Sequence, residues 1–147
     1  MDKAKNMLAY LTKNDEVQKG ILREVARIFA MAPDGFDCFI LVVKYGCRFT
    51  GEDAQALTML QQLLGKNAYD NIILVLTHGD QLQREAEDTE ESVDRTLEKW
   101  LKSLPPWIQD FIVSIHQRVI PFNCLYRPDK EPEEYKKQLA GLIKVRP

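Results

Sequence analysis

Two short apolar runs limit what this chain can fold into. Phe36 to Tyr45 is almost continuously apolar and rich in Val, Ile and Phe, and Asn71 to Thr77 repeats the pattern as Ile72-Ile73-Leu74-Val75-Leu76. Unbroken runs of this length and β-branched content predict strands buried on both faces, the pattern of parallel sheets covered by helices. The segment between them is helical in period: Thr50 and Asp53 form a capping-box pair ahead of Ala54, Leu57, Leu60 and Leu64, with Gly65 as the stop. A strand, a helix and a second strand in that order predict a parallel pair joined by a helical crossover.

The rest of the chain extends the pattern. Val17, Ile21, Val25 and Ile28 recur at helical spacing over about 15–31, after the possible caps Asn14 and Asp15. Beyond the second run, residues 84–94 hold six acids, read as a solvated first turn. They precede Val93, Leu97, Trp100, Leu101 and Leu104, whose helical spacing stops at Pro105-Pro106. Trp107, Ile108, Phe111, Ile112 and Ile115 predict another short helix, Arg118 to Asn123 a third strand interrupted by Pro121, and the segment from Pro132 a last helix with Tyr135, Leu139, Leu142 and Ile143 on one side. The predicted order is helix, strand, helix, strand, two helices, strand, helix: an α/β fold with a three-strand, mainly parallel sheet covered by helices on both faces.

Composition narrows the function classes. The 147 residues carry 20 basic and 22 acidic side chains, a formal charge of −2, and give no electrostatic reason to bind nucleic acid. No apolar stretch approaches the roughly 20 residues that span a bilayer, and the N-terminus has no apolar signal core, so neither an integral membrane protein nor a secreted one is expected. Cys38, Cys47 and Cys124, odd in number and widely spaced, suit free thiols in the cytoplasm better than disulfides. His78 and His116 have no Cys-x-x-Cys or His-x-x-x-His spacing around them, so no metal is assigned. A Cys124 nucleophile served by His116 has no supporting motif, and Trp100 and Trp107 read as core.

In open α/β sheets ligands gather beyond the carboxyl ends of the strands. The second strand ends in Thr77-His78-Gly79-Asp80, where a carboxylate follows a tight turn and is able to accept two parallel hydrogen bonds from an amidine-like edge. Guanine presents such a pair, N1–H and its exocyclic amine, whereas adenine sets acceptors against acceptors; Asp80 is then the specificity residue. The third strand ends in Phe122-Asn123-Cys124, and the Asn123 amide reaches the same base if the two strands are neighbours. The spacing alone leaves the alternative open, because generic strand-end turns also use Gly and Asp.

Three segments taken together resemble a known family. Pro33-Asp34-Gly35-Phe36-Asp37-Cys38-Phe39-Ile40-Leu41-Val42-Val43, then Gly46-Cys47-Arg48-Phe49-Thr50-Gly51-Glu52-Asp53, then Ile73-Leu74-Val75-Leu76-Thr77-His78-Gly79-Asp80-Gln81-Leu82 are similar to the GTPases of immunity-associated proteins (GIMAP), septin-like GTPases related to plant avirulence-induced proteins. The helix containing Glu16-Val17 and Glu24-Val25-Ala26-Arg27, and the pair Phe122-Asn123, resemble further family elements. The resemblance implies that Thr77, His78, Gly79 and Asp80 form the guanine-recognition motif, that His78 stacks on the base and that Asn123 adds a base contact, with Cys124 departing from the family's second Asn. It also implies an immune or stress-signalling context, association through the GTPase face, and peripheral membrane attachment through segments outside this domain.

The chain departs from such a family in what it lacks. A phosphate-binding loop needs Gly-x-x-x-x-Gly-Lys-Ser/Thr, but the one Gly-Lys pair, Gly65-Lys66, is followed by Asn67 and has Leu60 at the upstream glycine position. No glycine has Asp three residues before it, so the family's Asp-x-x-Gly is absent too. The expectation is one partial domain over 1–147, a truncated P-loop NTPase G domain that begins after those elements. It would bind GTP or GDP weakly, use Mg²⁺ only if the missing elements are supplied, and not hydrolyse nucleotide alone. The rival expectation is a nucleotide-independent interaction module that keeps the fold.

Overall fold

The structure is a computed structural model that describes residues 36–144, apart from the side chains at 63–64 and 66–68, together with Gly20, Arg23, Glu24, Arg27, Ala30 and Met31. The chain divides into two compact units, Met1–Asp37 and Cys38–Pro147. In the first, Gly20, Arg23, Glu24, Arg27, Ala30 and Met31 are helical, Phe36 and Asp37 are not, and the rest of the helix expected over 15–31 lies outside the described residues.

The second unit contains a three-stranded sheet of β1 (Phe39–Lys44), β2 (Ile72–Thr77) and β3 (Val119–Pro121), in the order β1-β2-β3. Both pairings are parallel, with Phe39 to Lys44 opposite Ile72 to Thr77 and Leu74 to Leu76 opposite Val119 to Pro121. All three carboxyl ends therefore lie at one edge of the sheet. Helix α1 (Gly51–Leu64) and a 3₁₀ turn (Lys66–Asn71) join β1 to β2; α2 (Gly79–Asp88), α3 (Val93–Ser103) and α4 (Pro106–Ser114) join β2 to β3; α5 (Pro132–Lys144) follows.

The expected capping box forms at α1. The Asp53 N–H donates to Thr50 Oγ1 at 3.4 Å, and the Thr50 N–H donates to Asp53 Oδ2 at 2.7 Å. At the other end Gly65, at φ 84°, closes the helix through its N–H to the Gln61 carbonyl at 2.9 Å, a conformation that favours glycine.

The two faces of the sheet are covered unequally. Ile72, Leu74 and Leu76 of β2 face the larger core, which contains Tyr45, Leu82, Leu104, Ile108, Phe111, Ile112 and Ile115 and is backed by Leu57, Leu60, Leu97 and Trp100. Residues of α1 to α4 thus cover one face. On the other, Ile73, Val75 and Ile120 are joined by Cys38, Phe122 and Leu142, the last from α5.

Four sequence expectations change. β1 is not buried on both faces: its burial alternates, and Ile40 and Val42, opposite Ile73 and Val75, are 49% and 61% exposed. At this sheet edge an apolar run does not imply cover on both sides. Three helices, not two, separate β2 from β3, because Gly79–Asp88 is itself helical with only Leu82 and Ala86 forming its buried apolar stripe. The six acids consequently run from the last turns of α2 through the connection to the start of α3, and only Asp94 lies in the first turn of α3. β3 is shorter than Arg118 to Asn123: it runs only from Val119 to Pro121, and the Asn123 main chain bonds the Gln138 side chain of α5 rather than another strand.

Candidate functional site

The β2 terminus is fixed on both sides. Toward β1, the Tyr45 N–H donates to the Thr77 carbonyl at 3.0 Å, and Thr77 Oγ1 donates to the Val43 carbonyl at 3.4 Å. Toward β3, the Phe122 N–H donates to the Leu76 carbonyl at 2.7 Å and the Gly79 N–H to the Phe122 carbonyl at 3.0 Å. The Thr77–Asp80 turn and the Phe122–Asn123 segment, far apart in sequence, are therefore neighbours in space.

Gly79 makes that approach possible. A Cβ at this position would lie 2.9 Å from the Asn123 nitrogen, 2.9 Å from the Phe122 carbonyl carbon and 3.1 Å from its oxygen. All three are main-chain atoms, so only a residue without a side chain fits.

His78 precedes α2 in the left-handed region, φ 63° and ψ 37°, an uncommon conformation for a residue with a side chain. Its ring is exposed, with Nδ1 3.1 Å from Thr77 Oγ1, and its carbonyl accepts from the Gln81 and Leu82 N–H groups at 3.0 and 3.3 Å. Strained backbone at a strand end in the expected binding position is the kind of feature that accompanies function. Asp80 follows in the first turn of α2. Its side chain is 19% exposed, and its Oδ2 accepts from Arg84 Nη2 one turn along the helix.

Asn123 is 6% exposed and both polar atoms of its side chain are engaged. Nδ2 donates to Gln83 Oε1 at 3.1 Å, and Oδ1 accepts from the Leu125 N–H at 2.9 Å. Its main chain is held by Gln138 of α5, whose Oε1 accepts from the Asn123 N–H and whose Nε2 donates to the Asn123 carbonyl at 3.2 Å. Gln83 also donates through Nε2 to the Tyr126 hydroxyl at 3.1 Å. Gln83 and Gln138, which the sequence reading does not single out, thus tie the loop after β3 to α2 and α5. For Gln83 the recoverable signal was its polarity beside the buried Leu82, usable only once α2 is recognised as a helix.

Behind the site, the Tyr45 hydroxyl donates to Glu85 Oε2 at 2.7 Å and its ring is 1% exposed, against Trp100 with centroids 4.9 Å apart. Burial, reinforced by that carboxylate, pushes the phenol well above its ordinary range. Burial also pushes the Cys47 thiol up, which keeps it from acting as a thiolate. His116 pairs with Asp70 at 2.9 Å beside the start of β2, whereas Cys124 follows the far end of β3; the two are not brought together. Among the described residues, no three His, Cys, Asp or Glu side chains are grouped to hold a metal ion, and no helix is long and apolar enough to cross a membrane.

The chain is similar to three proteins of Arabidopsis thaliana: immune-associated nucleotide-binding protein 8, 27% identical over 84% of this chain and 32% of the relative; protein 7, 28% over 86% and 39%; and protein 9, 28% over 82% and 33%. It thus spans between about a third and two fifths of the length of these curated relatives. The match to the AIG1 family runs from residue 10 to residue 146, through every strand and helix described above, and the chain belongs to that family.

Proposed function

We propose that this chain is a partial GTPase-like domain, spanning 1–147, that binds guanine nucleotide through its base, with the base lodged beyond the carboxyl ends of β2 and β3. The observation that carries this reading is the close approach of Gly79 to Phe122 and Asn123, which brings the turn that carries Asp80 against the segment after β3. In this reading Asp80 accepts from guanine N1–H and the exocyclic amine, and the exposed His78 ring stacks on the base. Thr77 fixes the turn, Gly79 permits the approach and Asn123 shapes the wall of the subsite. The description of the relatives as nucleotide-binding proteins supports the same reading.

The residues present fit the base better than the phosphates. The sequence contains no Gly-x-x-x-x-Gly-Lys-Ser/Thr, and among the described residues no cluster would hold Mg²⁺. A base contact alone supplies about 4 kcal/mol, which corresponds to a Kd of about 1 mM. Mg²⁺ and hydrolysis therefore enter only if phosphate-binding elements are supplied from elsewhere. The proposed setting is cytoplasmic immune signalling, with membrane association, if any, peripheral.

Titration of the chain with GDP, GTP and ATP tests the proposal. Guanine-selective binding that is lost in Asp80→Ala, with the circular dichroism spectrum intact, is expected. Equal binding of ATP, or none of any nucleotide, overturns it. The exposed pair Ile40 and Val42 favours a second reading, a nucleotide-independent module that associates with itself or a partner through this face. That reading fails if the folded chain stays monomeric by light scattering and captures no partner in nucleotide-free buffer.

A further inference from the structure

The Asp80 carboxylate already has a donor. Arg84, four residues on in α2, directs Nη2 to Asp80 Oδ2 and Nε to the Asp80 carbonyl at 3.3 Å. The two side chains differ in exposure, 19% for Asp80 and 69% for Arg84, so the carboxylate is sheltered while the guanidinium reaches it from solvent. A guanidinium offers a planar set of N–H donors to a carboxylate. Guanine's N1–H and exocyclic amine have that same donor geometry.

We infer that Arg84 is an internal stand-in for the guanine edge: it satisfies Asp80 when no base is bound, competes with the base for Oδ2, and so sets the affinity and guanine selectivity of the site. The inference rests on the guanine-binding reading above and deepens it by naming the residue that opposes the ligand. A base that donates to both carboxylate oxygens must displace Arg84 or share Oδ2 with it. An exposed pair at this helical spacing is weak, so the competition is mild, about two- to fivefold in affinity. Salt screens the pair, so the effect shrinks as ionic strength rises. Had Arg84 instead braced Asp80 for the base, its removal would lower affinity.

The test is an NMR titration of the full chain with GMP, using AMP and IMP as controls, for wild type and Arg84→Met, which keeps an apolar stem and removes the donors. The phosphate is common to the three ligands and cancels in their ratios, and IMP lacks the exocyclic amine. The expected result is a GMP affinity about two- to fivefold higher in Arg84→Met, with a larger GMP-to-AMP ratio and a gain that narrows with added salt. If wild type prefers GMP over AMP but Arg84→Met leaves that preference unchanged or reduces it, the inference about Arg84 fails while the guanine reading stands. If neither chain distinguishes GMP from AMP, the guanine reading itself fails, and the inference with it. Arg84 is largely exposed, so the variant is expected to fold, and its circular dichroism spectrum checks this.

Discussion

Replacing Gly79 by Ala adds one methyl group at the tightest point of the proposed site. The new Cβ would sit 2.9 Å from both the Asn123 nitrogen and the Phe122 carbonyl carbon, against an ordinary contact of about 3.5–4.0 Å. Relief cannot come from a rotamer, because the opposing atoms are main chain. It requires the turn and the loop to separate, which strains the Gly79 N–H bond to the Phe122 carbonyl, now 3.0 Å long. Overpacking of this kind costs about 1–3 kcal/mol and a lost hydrogen bond about 1 kcal/mol. The better helix propensity of Ala at the start of α2 returns at most about 1 kcal/mol. The net expectation is a destabilisation of about 2 kcal/mol, read from the urea midpoint at unchanged m-value; for a chain of this size that is roughly 4–8 °C in Tm. Gly79 is not held at a positive φ, so Ala meets no backbone strain and the experiment isolates the close approach. A change below about 0.5 kcal/mol, the scatter of neutral surface substitutions, would refute the claim that these two segments are in contact.

The left-handed backbone at His78 predicts that His78→Asn stabilises the chain by about 0.5–1 kcal/mol, since Asn tolerates that conformation and is a favoured helix cap; a lower urea midpoint would contradict the strain assignment. The raised Tyr45 phenol predicts that, in an ultraviolet titration of the folded chain, this side chain stays protonated through the range where exposed tyrosines ionise, with Tyr69, also raised by burial, lagging too. Because the folded value lies above the unfolded one, the associated stability is complete below about pH 10 and is lost as the pH rises beyond it toward the folded value. Tyr45→Phe should remove the slowest component of that titration, and five tyrosines ionising together would refute the burial argument.

What the sequence revealed depended on how symmetrically each element is buried. β2 is enclosed on both faces from Ile72 to Leu76, so its apolar run was sufficient to identify it. β1 has the same composition, but Ile40 and Val42 lie where the cover is missing, and a run of apolar letters does not say which of them face solvent. α2 was hidden because its buried apolar stripe is only Leu82 and Ala86 among charged neighbours and it starts with Gly79-Asp80, which also spells a turn. That omission propagated to the site. Thr77 to Asp80 and Asn123 were recognisable from their places at strand ends, whereas Gln83 and Arg84 acquire meaning only when a helix sets Gln83 against Asn123 and Arg84 back over Asp80. Gln138, 15 residues beyond Asn123, is a long-range partner that no local pattern encodes.

Gln138 meets the Asn123 peptide in both directions, accepting from its N–H and donating to its carbonyl, as an adjoining strand would. A side-chain amide thus serves as a one-residue extension of the sheet just past Pro121, where the regular ladder has stopped. The outer flank of β3 is sealed at that point without recruiting a fourth strand, and detaching the terminal helix would unzip the wall of the proposed base subsite along with it.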